Sequence, residues 1–374
     1  MTDIFLYGTL RDRALLAIVL GPEAFGADLR EAVLPDHAVS WAEGQVFPTI
    51  AEAAGQEARG VLLADPGAAL LERLDFYEGG FGYDLKPVEV ISDGAARRAR
   101  LYFPGPGQSP PGAPFDLADW QSRYGPLSRL AAGEAMSYLG RMDAETLASR
   151  MPMIRARASA RLAAKGVPAR IRSDTGAETV EVLDTQVDHI GFYRFETQRL
   201  RYPSFQEDLG PELRREIIVA TDAAMVLPYD PVRDRVLLVE QFRMGPFGRG
   251  DPRPWMLEPV AGRVDAGETP EEAAHRECAE EAGLTLSQLL PIAGYYCTPG
   301  YSTEYFHNFV GLADLPDDLP RFGGLQSEAE DIRLHLVDFN AAMHLIETGE
   351  ADNGPLILSL LWLAAKRPDL CAAA

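Results

Sequence analysis

The sequence predicts a two-domain α/β protein. Its 374 residues exceed the size of one typical domain. Strand-like and helix-like patterns alternate through both halves. A basic stretch, residues 151–173, carries six Lys or Arg and no Asp or Glu, and it separates two acidic halves of a chain whose net charge is −21. We therefore expect one domain at 1–145, a basic helical linker at 146–178, and a second domain at 179–374.

Short apolar runs and one amphipathic segment define the first half. The segments Ile4–Tyr7, Gly60–Ala64 and Val88–Ile91 predict strands, and Ala68–Tyr77 predicts a helix because its leucines share one side. The segment Phe103–Pro114 is rich in Gly and Pro, so it predicts a loop.

The middle of the chain predicts a long helix, Ala144–Lys165, rich in Ala, Arg and Leu. Asp143 is a suitable cap, Pro152 should restart or kink the helix, and Gly166 should end it. We interpret this helix as a solvated connection between two acidic domains. Its basic character leaves open the alternative that it binds a membrane or an acidic partner.

The second half predicts a hairpin and two helices. Ala223–Leu227 and Val236–Glu240 flank a turn-like segment. One helix should follow Thr269, and another should span Pro355–Lys366.

Composition excludes some classes of function. The acidic chain is unsuited to nucleic acid, whose phosphates require a basic surface. No run of 18 apolar residues predicts a membrane span. Three cysteines without CxxC spacing do not indicate a disulfide framework, so we expect a reducing cytoplasm. Most of the acidity has the simpler interpretation that it keeps the protein soluble.

The most informative segment is an acidic helix that should begin at Thr269 and end at Gly283. Thr269 is a good N-cap, Pro270 suits the first helical position, and Gly283 is a natural C-terminal stop. Its carboxylates Glu277, Glu280 and Glu281 share one face, where they repel one another by roughly 0.2–0.5 kcal/mol per exposed pair.

A divalent cation would turn this repulsion into binding, because hard oxygen ligands are those that Mg²⁺ prefers. The three carboxylates therefore predict a metal site for phosphate chemistry. The alternative is a solvated acidic helix face.

The spacing of residues around this helix favours the metal site over the solvated acidic face. It follows the pattern GX5EX7REUXEEXGU, in which U is apolar, and so resembles the Nudix box. The matching positions are Gly262, Glu268, Arg276, Glu277, Cys278, Glu280, Glu281, Gly283 and Leu284.

This resemblance implies a C-terminal α/β/α sandwich with a mixed sheet. It also implies that Glu277, Glu280 and Glu281 ligate Mg²⁺ or Mn²⁺, with Glu281 counted among the catalytic residues. The carbonyl of Ala261 would be a further ligand. Glu268 and Arg276 would pair and orient the ligand helix, as residues behind metal ligands do.

Flanking residues resemble bacterial ADP-ribose pyrophosphatases along residues 180–370. Pro299 lies 16 positions after Gly283, within Thr298-Pro-Gly-Tyr-Ser-Thr-Glu304. The simpler interpretation of Pro299-Gly300 is a turn. Further similar segments are Arg214–Glu216, Glu240–Arg243, Trp255–Gly262, Glu330–Arg333 and Asp352–Asn353.

That resemblance implies Mg²⁺-dependent hydrolysis of ADP-ribose, or a related nucleoside diphosphate sugar, to AMP and ribose 5-phosphate. Glu328 would be the base toward water and Glu330 a metal ligand, although the Ser327–Asp331 register leaves a one-residue shift open. The implied substrate contacts are Arg243, Glu304, Arg215, Phe192 and Pro299.

The resemblance further implies a homodimer with exchanged N-terminal strands. Two alternatives remain. One is a Nudix hydrolase for another nucleoside diphosphate derivative, and the other is a sensor that binds ADP-ribose without cleaving it.

The first half carries a second resemblance, to γ-glutamylcyclotransferase-like (AIG2-like) proteins, over residues 1–105. Its residues are Tyr7-Gly8-Thr9-Leu10, Gly44, Phe47-Pro48, Gly60, Leu74–Gly79, Tyr83 and Tyr102.

It implies a mixed α/β barrel in which the Tyr7–Leu10 loop offers backbone N–H groups to a carboxylate. Glu78 would be the general acid/base that forms 5-oxoproline. A non-catalytic module that binds a small molecule is the alternative.

Overall fold

The computed structural model describes residues 3–105, 109–164, 166, 170–173, 175–205, 210–325 and 330–373, apart from the side chain of Glu23. The chain forms two compact units, Met1–Lys165 and Gly166–Ala374. Over the residues described, no helix is both long and apolar enough to span a membrane.

The first unit contains six strands and five helices among its described residues. They are β1 (Asp3–Leu6), α1 (Arg13–Leu20), β2 (Asp28–Ala42), β3 (Pro48–Ala64), α2 (Ala68–Glu78), β4 (Tyr83–Ser92), β5 (Ala95–Pro104), β6 (Pro111–Pro114), α3 (Leu117–Arg123), α4 (Gly125–Met136) and α5 (Ala144–Ala163).

Five of these strands close into a barrel. The order is β3-β1-β5-β4-β2, and β2 pairs again with β3, so the ring has no free edge. β1 pairs parallel with β5 and antiparallel with β3, which makes the barrel mixed. Buried side chains of alternate strand positions, including Phe5, Leu62, Val90 and Leu101, fill it. The predicted mixed α/β barrel is confirmed.

Asp12 ties the start of the chain to α4. Its side chain caps α1 by accepting the N–H of Leu15 at 2.8 Å. It also accepts two hydrogen bonds from Arg129, at 3.0 and 2.7 Å, and one from Gln121 at 2.7 Å. These donors lower the pKa of Asp12 to about 2, because they stabilise the ionised carboxylate.

The helix α5 differs from the prediction of a solvated linker. It belongs to the first unit, where Leu147 and Ile154 are buried and Arg157 donates to Glu134 at 2.5 Å. The close approach is visible at Gly80, where an added Cβ would lie 1.9 Å from the carbonyl oxygen of Ala144. Pro152 remains inside the helix instead of restarting it. The packing of α5 is therefore determined by the apolar side chains on one of its faces, in spite of its basic composition.

The second unit contains eleven strands and four helices among its described residues. They are β7 (Glu181–Ile190), β8 (Arg194–Arg201), β9 (Leu213–Val219), β10 (Asp222–Asp230), β11 (Arg235–Phe242), α6 (Met244–Arg249), β12 (Trp255–Glu258), β13 (Val260–Arg263), α7 (Pro270–Ala282), β14 (Gln288–Tyr296), β15 (Tyr305–Leu312), β16 (Phe322–Gly323), β17 (Ile332–Asp338), α8 (Phe339–Thr348) and α9 (Gly354–Ala373).

A mixed sheet forms the centre of this unit. Its order is β14-β15-β10-β11-β17-β16, with β12 paired to β11 and β13 paired to β10. The β10–β15 pairing is parallel and the others are antiparallel. One apolar cluster packs this sheet against α7, and a second packs its other face against α8 and α9. The predicted α/β/α sandwich is confirmed.

A separate three-stranded sheet, β7-β8-β9, precedes the sandwich in the chain. The hairpin predicted around residues 231–235 is present as β10–β11. Two predictions need correction. The segment Phe103–Pro114 is not wholly a loop, because Ser40 pairs with Pro114 and Ala42 with Pro111. The last helix runs past Lys366 to Ala373 and contains Pro368.

Candidate functional site

The acidic helix α7 has well-formed ends. Thr269 accepts the N–H of Glu272, and Glu272 accepts the N–H of Thr269, so both groups form a capping box. At the other end Gly283 has φ +65°, a left-handed conformation that disfavours other residues. Ala274 and Cys278 are fully buried on the face that packs on the sheet. These local features fix the direction in which the acidic side chains project.

Glu281 is the most buried carboxylate of this helix, with 1% of the residue exposed. It accepts the backbone N–H of Ala261 at 3.2 Å. Burial is the main cause that raises its pKa to about 8, and the negative charges of Glu277 and Glu330 add to the effect. Arg243 acts in the opposite direction. The helix therefore holds a carboxylate whose negative charge is disfavoured by its burial.

Arg276 partly neutralises this acidic face. Its Nε and Nη2 donate to the two oxygens of Glu268 at 2.8 and 2.9 Å, as a bidentate pair. Its Nη1 donates to Glu277 at 2.6 Å and to Glu280 at 3.0 Å. A further bond from Nη2 to the carbonyl of Arg263, at 3.0 Å, fixes the guanidinium on β13.

The backbone of β13 lies directly against the acidic face. A Cβ added to Gly262 would lie 1.8 Å from Oε1 of Glu277. Only glycine therefore leaves room for that carboxylate in its observed place. The same strand also carries Ala261, directly before Gly262, whose carbonyl is the further predicted ligand.

The chemistry of this donor set suits a divalent cation. Glu277, Glu280 and Glu281 project from one helix face, and Glu330 is close enough to raise the pKa of both Glu277 and Glu281. Over the described part of the chain no three acidic, His or Cys side chains already surround one point. Arg276 donates to one oxygen each of Glu277 and Glu280. Glu328 lies outside the described residues.

A second group of side chains extends the site from Glu281. Arg243 lowers the pKa of Glu281 and also that of Tyr193. Burial, Glu304 and Cys297 raise the pKa of Tyr193, and Cys297 donates to Glu304 at 3.1 Å. Arg243 and Glu304 are candidates named from the sequence, whereas Tyr193 and Cys297 are not. Tyr193 follows Phe192 directly, so the signal was an adjacent aromatic residue.

Three predicted substrate contacts are exposed, and one of them, Phe192, lies beside this group. Phe192 is 62% exposed and makes an edge contact with Tyr193, at 5.0 Å between ring centroids. Arg215 is exposed on β9, where its Nη1 donates to the carbonyl of Arg214. Pro299 is exposed in a turn closed by Thr298, which accepts the N–H groups of Tyr301 and Ser302.

The first unit brings together its own predicted residues. Thr9 and Leu10 lie in a short 3-10 turn, closed by the N–H of Arg11 on the carbonyl of Gly8 at 3.1 Å. An added Cβ at Gly8 would lie 3.2 Å from Pro48. Tyr7 is buried, and its hydroxyl donates to the carbonyl of Tyr102 at 3.1 Å.

Glu78, the last residue of α2, lies among tyrosines. Burial raises its pKa to about 7. Its charge in turn contributes to raising the pKa of four phenols, those of Tyr7, Tyr77, Tyr83 and Tyr102. A carboxyl group that titrates near neutral pH can both donate and accept a proton. Glu78 is also close enough to Tyr7, the first residue of the Tyr7–Leu10 loop, to raise the pKa of its phenol.

Comparisons with known proteins follow this division of the chain. The family model described as NUDIX domain matches residues 220–360. ADP-ribose pyrophosphatase of Escherichia coli (strain K12) is 37% identical over 188 residues, which cover 50% of this chain and 89% of that protein. This chain belongs to the NUDIX family.

Two further relatives match the same region. ADP-ribose pyrophosphatase of Haemophilus influenzae (strain ATCC 51907 / DSM 11121 / KW20 / Rd) is 34% identical over 50% of this chain and 86% of its own length. GDP-mannose pyrophosphatase of Escherichia coli O9:H4 (strain HS) is 31% identical over 40% of this chain and 77% of its own length. The second unit is an enzyme domain of the Nudix pyrophosphatase class.

The first unit matches a different family model. The model described as Gamma-glutamyl cyclotransferase, AIG2-like matches residues 4–122, from β1 into α3. Both predicted family resemblances are confirmed. The helices α4 and α5 lie beyond the matched residues.

Gly262→Ala tests the close packing in the Nudix box. The new Cβ must displace the carboxylate of Glu277, which is the far end of a flexible side chain. We expect turnover to fall at least about tenfold, as displacement of catalytic groups does, while the melting temperature changes little. Gly245→Ala is the matched control, because its Cβ enters open space. Unchanged turnover in Gly262→Ala would contradict the assignment of Glu277.

Proposed function

We propose that the second unit hydrolyses the pyrophosphate of ADP-ribose, or of a related ADP-sugar, in the presence of Mg²⁺. The observation that carries the proposal is the buried carboxylate of Glu281, with Glu277 and Glu330 close by and Arg243 beside it. Two relatives named ADP-ribose pyrophosphatase, at 37% and 34% identity, support this substrate. The products would be AMP and ribose 5-phosphate.

Glu277, Glu280, Glu281 and Glu330, with the carbonyl of Ala261, would hold the divalent cation. Carboxylate and carbonyl oxygens are the ligands that Mg²⁺ and Mn²⁺ prefer. When bound, the cation supplies charge neutralisation at the pyrophosphate and lowers the pKa of a water ligand. On cation binding, the carboxylates of Glu277 and Glu280 would turn away from Arg276 and toward the cation. Glu268 would keep Arg276 in place, because its bidentate pair with Arg276 does not involve the acidic face.

The remaining roles belong to side chains around the substrate. Arg243 would bind phosphate oxygens, for which a guanidinium provides paired donors. Glu304 would accept hydrogen bonds from ribose hydroxyls, with Cys297 fixing one of its oxygens. We assign Glu328 as the base that accepts the proton of the attacking water. Tyr193 joins this set because the charges of Arg243 and Glu304 both act on the pKa of its phenol.

A GDP-sugar is the second candidate substrate, because one relative is named GDP-mannose pyrophosphatase. Its identity of 31% is lower than that of the ADP-ribose pyrophosphatases. A sensor without hydrolysis is a weaker alternative, since a protein that only binds has no need for the full acidic set.

The proposed assembly is a homodimer through the second unit. Phe192 and Arg215 lie exposed on or beside the β7-β8-β9 sheet, which leaves these side chains available to a partner subunit. We place the enzyme in a reducing cytoplasm, because Cys278, Cys297 and Cys371 are all free.

For the first unit we propose a γ-glutamylcyclotransferase-like activity, with Glu78 as general acid/base and the Tyr7–Leu10 loop as carboxylate site. The observation that supports it is the pKa of Glu78, which burial raises to about 7. A binding module without catalysis is the alternative.

Release of AMP from ADP-ribose, ADP-glucose and NADH, and of GMP from GDP-mannose, tests the Nudix proposal. We expect ADP-ribose to have the highest kcat/KM with Mg²⁺, and no turnover with EDTA. Glu281→Gln should lower kcat by at least about 100-fold, because an amide is a weaker ligand for a hard cation. Glu271→Gln, at the exposed start of α7, is the control. Release of AMP from none of these compounds would refute the proposal.

Formation of 5-oxoproline from γ-glutamyl compounds tests the first unit. Wild-type protein should show activity with an apparent pKa near 7, matching Glu78. Glu78→Ala should lose about 100-fold or more, the contribution of a general acid/base. Glu72→Ala, on the exposed side of the same helix, should keep full activity. Equal rates in wild type and Glu78→Ala would exclude this role.

A further inference from the structure

A buried carboxylate outside the Nudix box, Glu258, makes two short contacts. Glu258 ends β12, and only 7% of the residue is exposed. Its Oε2 accepts Nε of Arg243 at 2.6 Å, and its Oε1 accepts Nδ2 of Asn353 at 2.8 Å. Each carboxylate oxygen is therefore fixed by a separate side chain.

Asn353 is itself held at the start of α9. Its Oδ1 accepts the N–H of Leu356 at 3.1 Å, and its carbonyl accepts the N–H of Ile357 at 3.0 Å. The amide group thus caps the helix with its oxygen and binds Glu258 with its nitrogen. This double use leaves it little freedom to rotate.

Arg243 is fixed at one end and open at the other. Its backbone N–H donates to the carbonyl of Pro254 at 2.9 Å, and its Nε is bound by Glu258. Its two Nη groups donate to none of the residues that the structure describes, and 39% of the side chain is exposed. The positive charge of Arg243 lowers the pKa of both Glu281 and Tyr193.

The ion pair between Glu258 and Arg243 would be a poor choice if it served only the stability of the fold. Burial raises the pKa of Glu258, which means that the fold disfavours its charge, and Arg243 only partly offsets this. Replacing a buried ion pair by apolar side chains is often neutral or stabilising. A guanidinium held through Nε with both Nη groups directed outward is instead the geometry that binds a phosphate in bidentate fashion.

We propose that Glu258 is a positioning residue which, together with Asn353, orients Arg243 so that its two Nη groups bind the diphosphate of the substrate. The inference rests on the proposed nucleoside diphosphate substrate. It goes beyond that proposal by assigning Glu258 and Asn353, which act through Arg243 and do not touch the reacting atoms.

The test measures binding of ADP without metal, by calorimetry, beside steady-state turnover of ADP-ribose. Glu258→Ala and Glu258→Gln should each weaken ADP binding and raise KM by roughly tenfold or more, with kcat changed less than about threefold. Glu240→Gln is the matched control. Glu240 lies on the neighbouring strand β11 and pairs with His335 at 2.8 Å, so its loss should leave ADP binding unchanged.

A double-mutant cycle with Arg243→Ala separates positioning from a purely structural role. If Glu258 acts through Arg243, Glu258→Ala should add less than about a twofold loss of ADP binding in the Arg243→Ala background. Asn353→Ser keeps a capping oxygen on α9 and removes the donor to Glu258, so it should reproduce part of the loss even if Glu258→Ala folds poorly.

Several results would overturn the inference. They are an unchanged dissociation constant for ADP in Glu258→Ala, multiplicative losses in the cycle, or an absence of ADP binding by the wild type. Failure of the substrate proposal is distinguishable, because a wild type that binds ADP but does not cleave ADP-ribose still allows the binding cycle to decide the role of Glu258.

Discussion

The buried carboxylate of Glu281 is the constraint on which the second unit depends. Its helix places further carboxylates on the same face, and Arg276 offsets part of their repulsion by donating to two of them, Glu277 and Glu280. A fold selected for stability alone would avoid this concentration of charge. The capping box at Thr269 and the left-handed Gly283 keep the helix in place despite the repulsion.

The strands around this helix place the rest of the site. Ala261 and Gly262 on β13 put backbone atoms against the carboxylates, and a Cβ at Gly262 would displace the carboxylate of Glu277. Arg243 reaches the same region from the end of β11, held by Glu258 on the adjacent strand. The site is therefore built mainly on the sheet and one helix, which can position charged groups more precisely than loops.

Features that depend on a local sequence pattern could be predicted from the sequence. Features that depend on contacts between residues far apart in the chain could not. The helix α7 was predictable because its cap, its stop and its acidic face all lie within 15 residues. The contact between Glu258 and Asn353 joins residues 95 positions apart, and no local signal indicates it. For the same reason α5 was interpreted as solvated. Its composition is basic, but burial of Ile154 depends on partners elsewhere in the first unit.

The most direct test of this account is the melting temperature of the second unit's transition in the full chain, with EDTA and with Mg²⁺. In EDTA, Glu281→Gln should melt no lower than wild type, because an amide resembles the neutral carboxyl form that burial favours at this position. Mg²⁺ should raise the wild-type value by several degrees, at about 2–4 °C per kcal/mol of binding free energy, and leave Glu281→Gln nearly unchanged. Equal stabilisation of both proteins by Mg²⁺ would contradict the claim that the acidic face of α7 is the cation site.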